Sequence, residues 1–163
     1  MNTVRTAASL AAAVAIIGLA SAPTSALAGD SAKVRVDFAK CFPNPPLPLP
    51  PGVVFINIGT VSGDVTGPLA VYGQPGSFTS VGGSTIYLEA DYEVTATDPD
   101  KSFTARVGGR YDLGIGRAVL YGFVSEGWLL GAEVVDEFHA TTPGCVAGTL
   151  VITPRWSHPA DGQ

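Results

Sequence analysis

Residues 86–97 read IYLEADYEVTAT, a regularly alternating sequence that predicts the fold class. Its even positions are all apolar, whereas its odd positions from Glu89 onward are acidic residues or Thr. A period of two places alternate side chains on opposite faces of a strand, and a helical period fits the stretch badly. The pattern therefore predicts a half-buried β-strand whose interior side chains include Tyr92.

A second strand is predicted after a short turn. Residues 98–101 read DPDK, a turn-forming sequence, and residues 102–111 then alternate in the same way as the first strand. Closing a tight turn between the two stretches places Glu93 opposite Arg106 and Glu89 opposite Arg110 on the polar face. The same register matches apolar residues on the other face, so the sequence predicts an antiparallel hairpin in which the charge pairs set the register.

Further strands are predicted along most of the remaining chain. No amphipathic stretch is long enough to predict a helix. Glycines inside the strand candidates favour a barrel, because glycine permits the bends that closing a sheet requires. We therefore predict an all-β fold, a small antiparallel β-barrel of about eight strands, with a β-sandwich as the alternative. The further candidates are residues 33–39, 53–65, 77–81, 117–124, 129–140 and 145–153.

The N-terminal segment has the three parts of a secretory signal peptide. Arg5 is its only charge, residues 7–20 are almost entirely apolar, and the segment ends in the residues ALA at position 28. The apolar run is shorter than the roughly 20 residues that a membrane anchor needs. We expect cleavage after residue 28 and a secreted protein, extracellular or held in the periplasm or cell envelope, with an uncleaved anchor as the alternative.

The remaining chain has the composition of one folded domain. Only 14% of the residues are charged and 46% are hydrophobic, which argues against disorder. We expect a single β domain over 29–154, containing a Pro-rich connector at 42–52, and a flexible tail at 155–163. Nine basic residues against fourteen acidic ones provide no basic face for nucleic acid. The mature chain contains no membrane-spanning stretch, and its oligomeric state is left open.

The two cysteines are predicted to form a disulfide. Cys41 ends the first strand candidate and Cys145 begins the last, and these strands are neighbours in a closed barrel. An exported chain also meets an oxidising compartment, where such a bond persists. Neither cysteine has a second Cys or a His at metal-ligand spacing, so we expect no metal and no cofactor. A nucleophilic cysteine is the alternative.

The Pro-rich connector has two possible roles. Residues 42–52 read FPNPPLPLPPG, which is stiff, extended and unable to donate to a sheet ladder. The simpler interpretation is a rigid link between the first two strands. Alternatively, the segment is a polyproline ligand, or a lid in which Leu47 and Leu49 cover the mouth of the barrel.

Asp136 is the most informative single residue for function. Alternation that starts at Trp128 turns Asp136 towards the interior, where a carboxylate needs a partner or a pocket. The alternative is a β-bulge that shifts the phase and exposes it. The candidate ligand-binding side chains are Asp136, Trp128 and Tyr92. We find no catalytic motif, and the serines lie outside any G-x-S-x-G sequence.

The glycine placement resembles that of a known superfamily. Residues 59–69 (GTVSGDVTGPL), 120–124 (LYGFV) and 131–134 (GAEV) are similar to strands of the allene oxide cyclase-like and dirigent-like barrels. The resemblance covers residues 53–153. It implies an eight-stranded barrel with a hydrophobic cavity, which in some members of that superfamily guides cyclisation or radical coupling mainly by shape. No functional residue of that superfamily matches a position in this chain.

Three functions follow as hypotheses. The leading one is an exported barrel that binds a small apolar ligand in its interior. The second is an enzyme of the cyclase or isomerase type that uses the same cavity and needs an acid or base inside it. The third is a surface or interaction module with a filled core, whose contacts would come from Tyr72, Trp156 or the Pro-rich connector.

Overall fold

The computed structural model describes residues 32–155, which form nine β-strands and one turn of 3-10 helix at Pro99–Lys101. The predicted signal peptide and Trp156 lie outside the described residues, as does the predicted tail apart from Arg155. The strands are β1 (Val34–Cys41), β2 (Phe55–Gly63), β3 (Gly67–Gly73), β4 (Thr79–Gly82), β5 (Thr85–Val94), β6 (Phe103–Asp112), β7 (Arg117–Gly127), β8 (Glu133–Thr142) and β9 (Cys145–Thr153).

Eight of the strands close into an antiparallel barrel. Their order around the barrel is β3, β2, β1, β9, β8, β7, β6 and β5, and pairing between β3 and β5 completes the circle. The first and last strands of the chain are therefore neighbours, as closure requires. Strand β4 lies outside the circle and pairs with β5. The predicted all-β barrel is confirmed, and the sandwich is not the observed arrangement.

The register of the β5–β6 hairpin differs from the predicted one by two residues. Asp91, rather than Glu93, lies opposite Arg106, and its carboxylate accepts two hydrogen bonds of 2.8 Å from the guanidinium. The predicted Glu/Arg pairs are therefore wrong. The connection at 95–102 is longer than a tight turn, because the 3-10 turn occupies it and Asp98 caps that turn. A shift of two preserves the face of every side chain, so the predicted interior remains correct.

Glycines within strands allow neighbouring backbones to approach closely. A Cβ on Gly122 would collide with the carbonyl oxygen of Arg106 on β6. A Cβ on Gly148 would lie 2.6 Å from the Cβ of Phe138 on β8, closer than packed carbon atoms can come. These contacts give a physical reason for the in-strand glycines that favoured a barrel in the sequence.

The interior of the barrel is mostly apolar. Alternate residues from every barrel strand point inward, and the fully buried ones include Val36, Leu120 and Ile152. Within residues 32–155, the buried residues with polar or charged side chains, apart from the Tyr92 phenol, are Lys40, Asn57 and Asp136. Burying a charged group is costly unless it has a partner, so the surroundings of Lys40 and Asp136 call for an explanation.

The predicted disulfide is present. Cys41 and Cys145 lie directly opposite each other on β1 and β9, and their Cα atoms are 4.0 Å apart. The bond joins positions separated by 104 residues and ties the first strand to the last. Such a bond is typical of proteins that reside in a non-reducing environment. The described part of the chain contains no helix with the length and hydropathy of a membrane span.

Candidate functional site

Lys40 points into the barrel because the alternation of β1 continues to the end of the strand. Val36, Phe38 and Lys40 share the interior face, and only 5% of the surface of Lys40 is exposed. The predicted strand ended one residue earlier, at position 39, so the predicted interior does not include Lys40. Extending the same period of two by one step would have found it.

Asp136 also lies in the interior. It occupies β8 between Val134 and Phe138, which share its face, and it is fully buried. The pairing of β8 with β9 is regular from Glu133 to Ala140, and the irregularity comes only after Ala140. There is thus no bulge before Asp136, and the phase expected from alternation is the observed one.

Tyr92 joins the two charged residues. The Lys40 Nζ donates a hydrogen bond to Tyr92 Oη, and lies 3.8 Å from the centre of the Tyr92 ring. The rings of Phe38 and Phe138 flank the same nitrogen at 5.2 and 5.3 Å. We call Lys40, Tyr92 and Asp136 the buried triad. It combines an amine, a phenol and a carboxyl group in an aromatic environment.

Asp136 is the least satisfied member of the buried triad. Within residues 32–155, neither of its carboxylate oxygens has a hydrogen-bond partner of normal geometry. The Tyr92 hydroxyl is nevertheless near enough to lower the pKa of Asp136, as is the charge of Lys40. A buried carboxylate without direct hydrogen bonds is favoured in its neutral, protonated form.

Burial changes the protonation of all three groups. Loss of hydration raises the pKa of Asp136 to about 6, against the opposing effects of Lys40 and Tyr92. The same cause lowers the pKa of Lys40 to about 7, against the attraction of Asp136. Burial, followed by the charge of Asp136, raises the pKa of Tyr92 well above its ordinary value. The amine and the carboxyl group therefore both exchange protons near neutral pH.

A cavity opens from the buried triad towards the disulfide end of the barrel. Its volume is about 420 Å³, and Lys40 and Asn57 contribute polar groups to its wall. Tyr92 and Asp136 do not line it. Aromatic and aliphatic side chains form most of the rest of the wall, namely Phe42, Phe55, Phe78, Leu88, Tyr111 and Phe138.

The structure brings together two of the three predicted ligand-binding residues. Tyr92 and Asp136 belong to the buried triad, whereas Trp128 lies at the opposite end of the barrel. There its backbone N–H donates to the Ser102 carbonyl at 2.8 Å, and Lys101 Nζ lies 5.9 Å from the centre of its ring. Trp128 therefore does not line the cavity that Lys40 lines.

The Pro-rich connector passes beside the mouth of the cavity. Phe42, at its start, lines the cavity, and its ring centre lies 6.1 Å from that of Phe55. Leu47 and Leu49 instead line a neighbouring groove, which shares Phe42 and Phe55 with the cavity. The segment links β1 to β2, and its two leucines are not among the residues that line the cavity.

Comparison with known proteins assigns no family to this chain. No family model matches it, and searches of the curated proteins and of the solved structures gave no match. The resemblance to the allene oxide cyclase-like and dirigent-like barrels stays a prediction.

Proposed function

We propose that this protein binds a small, mainly apolar molecule in the cavity at the disulfide end of the barrel, with one polar group of the ligand at Lys40. The observation that carries the proposal is an apolar cavity of about 420 Å³ that ends on a buried lysine. Cavities of this size, apolar with a few placed polar groups, are typical of small-molecule sites.

The walls supply the affinity and the lysine supplies the orientation. A ligand that buries about 200 Å² of apolar surface gains about 5 kcal/mol from the hydrophobic effect, before the cost of association. Lys40 and Asn57 are the buried polar side chains on the wall, and Tyr111, Thr141 and Thr142 add hydroxyl groups to it. The ammonium of Lys40 only donates hydrogen bonds, so it selects an acceptor such as a carbonyl, hydroxyl or carboxylate oxygen.

Export to an oxidising compartment is part of the same proposal. The disulfide between Cys41 and Cys145 supports it from the structure. The charged start, apolar middle and ALA ending of residues 1–28 support it from the sequence. Mass spectrometry of the protein from the medium of a secreting host tests it, because cleavage after residue 28 predicts Gly29 as the first residue.

Ligand binding can be tested with the fluorescent apolar probe N-phenyl-1-naphthylamine and its displacement by 1-octanol. Val146 lies opposite Lys40 on β9 and lines the cavity, so Val146→Trp fills the space next to the lysine. Ala147 is the next residue and lines a depression on the outer surface, so Ala147→Trp is a matched control. Losing about 50 Å² of ligand burial lowers affinity by about tenfold.

The proposal requires saturable binding to the wild type and to Ala147→Trp, and weaker binding to Val146→Trp. Equal binding by all three proteins would place the probe outside the cavity and contradict the proposal. Absence of saturable binding, with no displacement by 1-octanol, would contradict it as well.

A second candidate function is suggested by the outer face of β7. Val119, Tyr121 and Phe123 form an apolar strip there, and Tyr121 and Phe123 are 64% and 50% exposed. An exposed apolar strip of this kind is typical of protein-binding surfaces. Sedimentation velocity of the wild type and of Tyr121→Ser tests its simplest form, self-association. A wild type that stays monomeric at high concentration contradicts that form.

A further inference from the structure

We propose that Lys40 condenses with the carbonyl group of an aldehyde or ketone held in the cavity, forming an imine. The inference rests on the proposed function, because the carbonyl compound would occupy the same cavity. It adds a covalent activity and names the class of ligand.

The position of the amine supports this chemistry. Lysines become nucleophilic when they are removed from water inside apolar pockets. The Lys40 side chain lines the cavity, is almost completely buried and has its nitrogen among three aromatic rings. The chain contains only two other lysines, Lys33 and Lys101. Lys33 is exposed before β1, and Lys101 lies in the connection to β6 at the opposite end of the barrel.

A neutral amine is available at physiological pH. Burial lowers the pKa of Lys40 to about 7, so in a large fraction of molecules the Lys40 amine is neutral at physiological pH and has a free electron pair. An ordinary lysine, with a pKa near 10.4, is neutral in only about one molecule in a thousand at pH 7.4. Lys40 therefore holds a strong advantage over the other two lysines in attacking a carbonyl carbon.

The reaction balances without any oxidant or reductant. The electron pair of Nζ forms a C–N bond with the carbonyl carbon, and the C=O π bond breaks as its oxygen takes one proton and the nitrogen loses one, giving a carbinolamine. The C–O bond then breaks, the oxygen takes a second proton and leaves as water, and the nitrogen loses its remaining proton. The sum is amine plus carbonyl compound giving imine plus water.

Tyr92 and Asp136, the other two members of the buried triad, are placed to take part in these proton transfers. The carbinolamine oxygen is two bonds from Nζ, which is the hydrogen-bond donor to Tyr92 Oη. Lys40 and Tyr92 both lower the pKa of Asp136, and among the described residues neither of its carboxylate oxygens accepts a direct hydrogen bond. In its protonated form it is a source of the proton that the departing oxygen needs. Once ionised, it faces the positive charge of the protonated imine.

The test uses octanal as the probe and sodium cyanoborohydride, which reduces an imine to a stable amine. We expect one adduct on the lysines of each chain, with a mass gain equal to octanal less one oxygen atom; the α-amino group, with an ordinary pKa of about 7.7–8.0, also reacts and is scored separately. Peptide mapping should place the lysine adduct on Lys40. Lys40→Met should lose the adduct, whereas Lys33→Met should keep it. Asp136→Asn should slow labelling of Lys40 by about a hundredfold, the lower range for loss of general acid catalysis.

The result separates this inference from the proposed function. If 1-octanol displaces the fluorescent probe but octanal labels the three lysines equally, or labels none, the cavity binds ligands and the imine chemistry is refuted. If neither compound enters the cavity, both proposals fail. Should Lys40→Met not fold, competition in the wild type decides instead: 1-octanol must suppress labelling of Lys40 and leave that of Lys33 unchanged.

Discussion

The buried triad predicts an unusual dependence of stability on pH. Asp136 binds its proton more tightly in the folded protein, where its pKa is about 6, than at its ordinary value of 3.8. Between these pH values the folded state holds more protons than the unfolded state, so the free energy of unfolding falls as pH rises. At about 1.4 kcal/mol for each tenfold change in proton affinity, the fall has an upper limit of about 3 kcal/mol.

Lys40 has the opposite effect at higher pH. Its pKa is about 7 in the folded protein against an ordinary 10.5, so the unfolded state holds more protons between these values. The free energy of unfolding therefore rises as pH increases from about 7, with an upper limit of about 5 kcal/mol. The pKa of Tyr92 is raised well above 10.0, so this group does not titrate within the window. Together the two residues predict a stability minimum between about pH 6 and pH 7, where many proteins are most stable.

Urea denaturation from about pH 4 to pH 10 measures this profile, provided that a reference protein removes the contributions of all other groups. The reference is the double variant Lys40→Met/Asp136→Leu, which replaces the pair by apolar side chains of similar size. Such replacements of buried ion pairs are often neutral or stabilising. We therefore expect the reference to be at least as stable as the wild type near neutral pH.

The prediction is tested by the difference between the free energies of unfolding of the wild type and the reference, measured at each pH. This difference should fall from about pH 4 to pH 6 and rise again above about pH 7. A flat difference would mean that the two groups titrate as they do in water, which contradicts their burial. A maximum between these values would mean that the ion pair is strongly stabilising and would refute the reasoning.

Two further predictions concern the barrel itself. Cys41→Ser should lower the free energy of unfolding by up to about 4–5 kcal/mol, the loop-entropy value for a bridge of this span. Cys145→Ser should lower the free energy of unfolding by the same amount, and the double variant should lower it no further. Unequal losses in urea denaturation would show a role for one cysteine beyond the bond. Gly122→Val should lower the melting temperature strongly, because its Cβ would collide with the Arg106 carbonyl. Tyr121→Val is the control, at the exposed neighbouring position of β7 where a Cβ is already accommodated; equal losses would refute the collision argument.

The fold was readable from the sequence because the interior of a strand repeats every second residue. That period identified the inward faces of β5, β6 and β8, and it correctly turned Asp136 inward. It could not identify the register of the β5–β6 hairpin, because a shift of two residues leaves every face unchanged. The length of the connection decides the register, and the 3-10 turn within it was not anticipated.

The candidate site was harder to predict because alternation gives the face of a residue and not its height in the barrel. Alternation was counted from Trp128, yet Trp128 lies in the turn between β7 and β8, at the far end beside the β5–β6 connection, and Leu130 in the same turn is 70% exposed. Lys40 and Asp136 are far apart in sequence and come together because β9 pairs with both β1 and β8. Lys40 and Asp136 therefore become neighbours only when the barrel is closed, with β9 between β1 and β8. The disulfide was predictable because the chain has just two cysteines.

The position of the buried triad argues for a role beyond stability. At the Trp128 end the interior is filled by apolar side chains such as Leu69, Val94 and Phe103, and no charged side chain is buried there among the described residues. The lysine lies instead at the disulfide end, on the wall of the cavity. An apolar pair would fill the same positions without the cost of removing two charges from water. A polar group on the wall of an apolar cavity acts chemically on the molecule that enters the cavity. The octanal experiment tests this because it places an aldehyde in the cavity next to Lys40.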